Sequence, residues 1–170
     1  IETSNLYTAF LWLVFRLLNE GGEMVAITPR SFCNGPYFRP FREAFLREMT
    51  LQRVHVFESR NSAFKDADVL QENLIFRSVK GKPAGKAVVS SSANSEDPDI
   101  CVREVQPGEL VNPNDHDMVI HVVSDEIGTR FAERVRGFAA TLEDMEIQVS
   151  TGRVVDFRAK AALAFESNGK

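Results

Sequence analysis

The sequence is short of several things, and each shortage excludes something. It holds two cysteines, Cys33 and Cys101, far apart and with no Cys or His at ligand spacing. That argues against a disulfide framework or a zinc site and makes a reducing, intracellular, cytoplasmic setting the default. Three histidines, His55, His116 and His121, are scattered singly and read as structural or solvated. Net charge is only −4, so no basic field advertises a free-standing DNA-binding module. This counts less against a piece of an enzyme whose basic surface lies elsewhere. No apolar run reaches about 18 residues without a charge, so no membrane span is predicted. Arg16 and a helical period in the apolar first segment argue against a signal peptide.

Ready-made catalytic motifs are also missing. There is no G-x-G-x-x-G and no P-loop, and Gly21-Gly22 sits at the wrong end of a helix to cradle phosphate. No Ser, Cys or Thr has a base partner at a signature position. Asp66 and Asp68 begin like a calcium loop, but the later ligand and the turn glycine are absent, and the pair reads as solvated charge.

What remains is an ordinary globular composition, 44% hydrophobic and 26% charged, in 170 residues. That length is enough for one good core, or for one domain plus part of another. Ser4 or Asn5 can cap a helix with Leu6, Tyr7, Phe10, Leu11, Leu13, Val14, Leu17 and Leu18 at helical spacing. The stripe is too wide for a surface helix of a small domain and predicts packing on a sheet. Gly21-Gly22 ends it, and Glu23–Thr28 reads as a short strand closed by Pro29. A second helix spans Phe38–Met49, with Phe38, Phe41, Phe45 and Met49 on one face. Strands at Leu51–Phe57 and Leu70–Val79 follow. Helix, strand, helix, strand is the order of a doubly wound α/β sheet, and two strands joined without a helix imply an antiparallel pair at one edge.

Further strands are expected at Lys86–Ser90, Ile100–Val105 and Met118–Val123. Asp125–Ala140 reads as an amphipathic helix with Ile127, Phe131, Val135 and Phe138 facing inward, and Ile147–Arg158 as a strand pair about Gly152. Residues 1–82, 83–145 and 146–170 form three successive segments on this reading: half of an α/β domain, a connecting α+β segment, and the start of another region.

Two loops stand out. Phe64 lies in a polar, charge-rich loop between two strands, where a ring could anchor the loop or stack on a flat ligand such as a base. Asn34-Gly35-Pro36-Tyr37 is a near miss for the Asn/Asp/Ser-Pro-Pro-aromatic loop of DNA amino-methyltransferases. With glycine in place of the first proline, it reads as a turn into the helix at Phe38.

Taken in order, Asn5-Leu6-Tyr7-x-x-Phe10-Leu11, Arg16-Leu17-Leu18-Asn19-Glu20-Gly21-Gly22-Glu23 and Ile27-Thr28-Pro29-Arg30-Ser31-Phe32 resemble the gamma class of DNA adenine methyltransferases, the TaqI-like and type IIG restriction-modification group. Phe41-Arg42-x-x-Phe45-Leu46 and Phe64-x-x-x-x-Val69-x-x-x-x-Leu74-Ile75-Phe76 are similar to that family's later motifs. The resemblance covers residues 4 to 79 well. It resumes weakly at Val149-Ser150-Thr151-Gly152-Arg153-Val154, similar to the entry into the family's target-recognition domain.

The resemblance implies a Rossmann-like fold, of which this chain would hold the second half of the sheet. It implies S-adenosylmethionine as cofactor, double-stranded DNA as partner, and methyl transfer to the exocyclic amine of a flipped-out adenine. Phe64 would stack on that adenine, Phe10 would lie near the cofactor's adenine ring, and Arg30, Arg60, Lys65 and Arg153 become candidates for DNA contact. The family's glycine-rich cofactor loop and Pro-Pro-aromatic catalytic loop are both absent. The expectation is therefore a section that needs the N-terminal half of the catalytic domain and the rest of the recognition domain, and that is inactive alone. A Rossmann-like methyltransferase for RNA or protein, and a non-catalytic interaction module, are the alternative readings.

Overall fold

Alternation of buried and exposed side chains after the Gly21-Gly22 turn sets the first strand, and the same alternation recurs along the chain. The computed structural model describes residues 5–58, 72–122 and most of 128–149. In order these form α1 (Leu6–Leu17), β1 (Glu23–Pro29), two 3-10 turns (Arg30–Cys33 and Pro36–Phe38), α2 (Arg39–Glu48), β2 (Met49–Phe57), β3 (Asn73–Lys80), β4 (Ala87–Ser92), β5 (Cys101–Val105) and a single helical turn at Pro107–Leu110.

The five strands make one sheet in the order β1-β3-β2-β4-β5. β3 is antiparallel to both β1 and β2, while β2 and β4 pair in parallel and β5 closes the row antiparallel to β4. β1 and β2 therefore run the same way, with α2 as their connection and β3 inserted between them. The antiparallel β2–β3 pair is thus interior to this sheet and not at its edge, because β1 and β4 flank it on either side.

The α1 helix begins where the Asn5 side chain accepts from the Tyr7 N–H and the Thr8 hydroxyl donates to the Asn5 carbonyl. Its last turn is held by Lys80, whose Nζ donates to the Phe15 and Leu18 carbonyls at 2.8 and 2.9 Å. A cation there also faces the negative end of the helix dipole. Gly21 adopts φ +76°, which places its N–H on the Lys80 carbonyl, and Lys80 N–H returns a bond to the Gly22 carbonyl.

The core lies between the sheet and the two helices. Phe15, Phe32, Phe41, Phe45 and Phe76 are all at most 1% exposed. Their rings meet mostly edge-to-face at 5.6 to 6.5 Å, with Phe41 stacked on Phe45. Each such ring contributes roughly 1.5–3 kcal/mol by burial, with a smaller increment from ring geometry.

Beyond residue 82, where the sequence reading sets its first boundary, the same sheet continues, because β4 bonds to β2. The chain divides into two compact units between residues 132 and 133. The expected strand at Met118–Val123 is reduced to one bridge, Val111 to Ile120. Of the expected helix at 125–140, the described residues are helical at 128, 130, 131, 134 and 135, with a turn at Gly137. Its face is not buried as expected: Phe131, Val135 and Phe138 are 69%, 45% and 65% exposed. The helical run stops short of Phe138 because Gly137 interrupts it. Ile127, and residues 150–158 of the expected strand pair, lie outside the described residues. Residues 147–149 form no strand. In the second unit, residues 133–170, the clearest local order is a turn in which Thr141 and Asp144 exchange side-chain and main-chain hydrogen bonds.

Candidate functional site

Parallel strands β1, β2 and β4 all end at one side of the sheet, and open α/β sheets bind ligands at that side. Four residues there fall in strand order across the edge. Arg30 follows β1, Glu72 precedes β3, Glu58 follows β2, and Ser91 lies near the end of β4. The Arg30 N–H donates to the Glu72 carbonyl at 2.9 Å, and Arg30 Nε pairs with Glu72 Oε2 at 2.7 Å. On the other flank Glu58 N–H donates to the Ser92 carbonyl at 3.0 Å, and Ser91 Oγ donates to Glu58 Oε1 at 2.8 Å. Residues 59–71 connect Glu58 to Glu72.

Beside the end of β1, an aromatic group is anchored by Tyr7. Its hydroxyl lies 2.9 Å from Ser31 Oγ, and its ring packs against Phe32 and Phe38. Burial pushes the Tyr7 phenol above its ordinary pKa, and the Ser31 hydrogen bond only partly opposes this. Tyr37, 53% exposed, stands edge-on to Phe38. The turn feeding it depends on Gly35, at φ +73°, as the reading of Asn34–Tyr37 as a turn into a helix requires.

Of the six residues that the sequence reading gives a role in binding base, cofactor or DNA, two are described. Phe10 lies on α1, not in the core, with 60% of its surface exposed. Arg30 stands at the strand-end edge, but its guanidinium is paired with Glu72, so its charge is already engaged within the protein. Phe64, Arg60, Lys65 and Arg153 lie outside the described residues.

Two side-chain groups stand out in the structure: Arg42, whose role the sequence reading did not assign, and His55, which it read as structural or solvated. Arg42, fully buried, donates from Nε and Nη2 to the Asp117 carbonyl, from Nη1 to Phe32 and Asn34, and from Nη2 to Gly35. Burial pulls its pKa down from the ordinary value, with the Asp117 charge opposing. Its position between Phe38 and Phe45 at helical spacing, inside the apolar stripe, was the available signal. His55, the second, sits between Ser90 and Ser92, with Nδ1 and Nε2 at 2.9 and 3.1 Å from their hydroxyl oxygens. Both serines are buried, at 3% and 5% exposure, so the contacts hold the sheet together and present no nucleophile. Cys33 is likewise no nucleophile, since burial pushes its thiol up to about 12. Among the described residues no group of His, Cys, Asp and Glu could hold a metal ion. The edge is suited to binding and positioning, and its described residues carry no set of reacting groups.

Residues 1–64 match the model of the Eco57I restriction-modification methylase. The chain is 49% identical over 167 residues to type II methyltransferase M.PstI of Providencia stuartii, covering 98% of this chain and 33% of that protein. It is 44% identical over 163 residues to type II methyltransferase M.BsuBI of Bacillus subtilis, covering 96% and 32% respectively. The chain thus spans about a third of the length of the curated relatives it matches.

Among solved structures it is similar to the type IIG restriction endonuclease BpuSI, with TM-score 0.52 and 22% identity, over 75% of this chain and 17% of that one. A structure of the type I restriction-modification system aligns with TM-score 0.54 and 12% identity, over 86% of this chain and 40% of that one. These two likenesses establish the fold, an α/β sheet of the Rossmann-like methyltransferase kind. In sequence the chain is similar, over nearly its whole length, to type II methyltransferases.

Proposed function

We propose that this chain is the part of a site-specific DNA methyltransferase that completes the catalytic sheet and presents the target-base side of the active site. The whole enzyme would move a methyl group from S-adenosylmethionine to the exocyclic amine of an adenine flipped out of double-stranded DNA, in the cytoplasm and within a restriction-modification system. The observation that carries this reading is the alignment of nearly the whole chain, at 49% identity, with a type II methyltransferase.

Within that reading Phe64 stacks on the flipped adenine. A base that leaves the helix loses its stacking, and an aromatic face returns roughly 1–3 kcal/mol of it. Phe10, exposed on α1, contacts the cofactor's adenine ring. Arg60, Lys65 and Arg153 contact DNA phosphates. The cofactor loop and the acceptor-amine loop come from the other parts of the enzyme, so this chain alone transfers no methyl group.

The test is incubation with duplex DNA and labelled S-adenosylmethionine. The intact methyltransferase containing this section should label adenine, and residues 1–170 alone should label nothing. Label in cytosine, in RNA or in protein would overturn the adenine-DNA reading. Label transferred by residues 1–170 alone would overturn the division of labour.

A further inference from the structure

The two ends of the 59–71 connection are each fixed by a side chain from a neighbouring strand as well as by the main chain. At one end Arg30 holds Glu72 twice, through its N–H on the Glu72 carbonyl and its guanidinium on the Glu72 carboxylate. At the other, Ser91 and the Ser92 carbonyl hold Glu58 through its carboxylate and its N–H. Arg30 and Ser91 reach inward from opposite sides of the β2–β3 pair, one from the end of β1 and one from β4. Exposed ion pairs contribute little to stability, and Arg30 and Glu72 keep 40% and 27% of their side-chain surface. Global stability is therefore a poor account of this arrangement. Its mechanical effect is specific: it fixes where the connection leaves and re-enters the sheet.

We infer that Arg30 and Glu72, with Ser91 and Glu58 on the opposite stem, are positioning residues for target-base capture. This rests on the reading of Phe64 as the base-stacking residue. A ring must meet the flipped base within a fraction of an ångström and a few degrees to stack on it, and a displaced stem displaces the ring.

The test uses the intact methyltransferase with Arg30→Met, Glu72→Gln, Arg30→Lys and the swapped pair Arg30→Glu/Glu72→Arg. Kinetics are measured on unmodified duplex DNA, and base capture is read separately by binding duplex DNA that carries the non-methylatable probe 2-aminopurine at the target position, which brightens when unstacked and dims when it stacks on an aromatic ring. Arg30→Met and Glu72→Gln should each lower kcat/KM for DNA by between about 10- and 100-fold. They should leave KM for S-adenosylmethionine and the melting temperature near wild type, and they should change the 2-aminopurine signal of the bound complex. The lysine variant and the swapped pair should recover part of the loss.

A role for Arg30 as a direct phosphate contact gives a different pattern. Arg30→Met would then reduce the salt slope of DNA binding by about 1, and Glu72→Gln would leave binding unchanged or tighter. That pattern overturns the inference, as do variants that match wild type in every readout. Failure of the wild-type enzyme to methylate adenine would count against the proposed function instead, and is read before any variant is made.

Discussion

The surroundings of His55 disfavour its protonated form. Its ring is half-buried between two serine hydroxyls and stands edge-on to Phe57 at 4.8 Å. Burial lowers its pKa below the ordinary histidine value, and the positive charge of Arg53 adds to this. The unfolded chain therefore binds the proton more readily than the folded one. The contribution is fully present above the unfolded value, about pH 6.5, and is lost as the pH falls through the lower folded value. The melting temperature should be flat between about pH 6.5 and 8, below the range in which the buried Cys33 thiol matters, and decline below about pH 6.5, before the carboxylates begin to titrate near pH 4. In His55→Gln, which keeps a donor and an acceptor but has no titrating ring, the decline between about pH 6.5 and 5 should be shallower. Asp97 and Asp115, held low by backbone N–H donors, lose their contribution only at more acidic pH.

Arg42 acts between elements more than within its own helix. From α2 it gathers the carbonyls of the turns at 32–35 and of Asp117, and the Cys33 carbonyl accepts from the Ile120 N–H beside them. Arg42→Met would bury those carbonyls without donors. It should cost at least about 3 kcal/mol, read as a lower urea midpoint with little change of slope. Arg42→Lys should recover only part of this, since one ammonium cannot fan out to four carbonyls as a planar guanidinium does.

Local elements were legible because their signals are local. The cap at Asn5, the turn at Gly21, the alternation in β1 and β2, and the phenylalanines at 38, 41 and 45 all act within a few residues. Strand order was not legible. Nothing between residues 49 and 80 says that β3 folds back to lie between β1 and β2, because that choice depends on which neighbours remain unpaired after α2 has crossed. The strand expected at Met118–Val123 failed for a related reason. Its one bridge is to Val111, and a single rung does not make a ladder. As for the site, its position at the strand ends follows from the α/β pattern. The Arg30–Glu72 pair spans more than forty residues of sequence and leaves no trace in spacing.

At the scale of the whole molecule, the surface is notable for what it leaves uncovered. α1 buries Thr8, Leu11 and Phe15, while Leu6, Phe10, Leu13, Val14 and Leu17 are 41–74% exposed. On β1, Val25 and Ile27 are 68% and 52% exposed, and among the described residues no strand pairs with the outer edge of β1. An exposed apolar helix face and an open strand edge each favour association. Residues 1–170 prepared alone should elute from size exclusion as concentration-dependent oligomers. Leu13→Glu together with Leu17→Lys should shift them toward monomer without lowering the melting temperature by more than a few degrees. A monomer at all concentrations would show that neither surface is adhesive.

The insertion of β3 has a further consequence, for the order in which the chain can assemble. β1 and β2 are made before β3, already linked by α2, yet they share no hydrogen bonds with each other. Each waits for β3, the last of the three to be made, and β3 must satisfy both at once along nearly its whole length. Closing this part of the sheet is therefore a late event that depends on distant contacts, of the sort that slows folding. Until residue 80 has been synthesised, two apolar strands and an apolar helix stand without their common partner. A nascent chain of this design is most in need of chaperone protection in the interval between β2 and β3, which is the interval that carries Phe64.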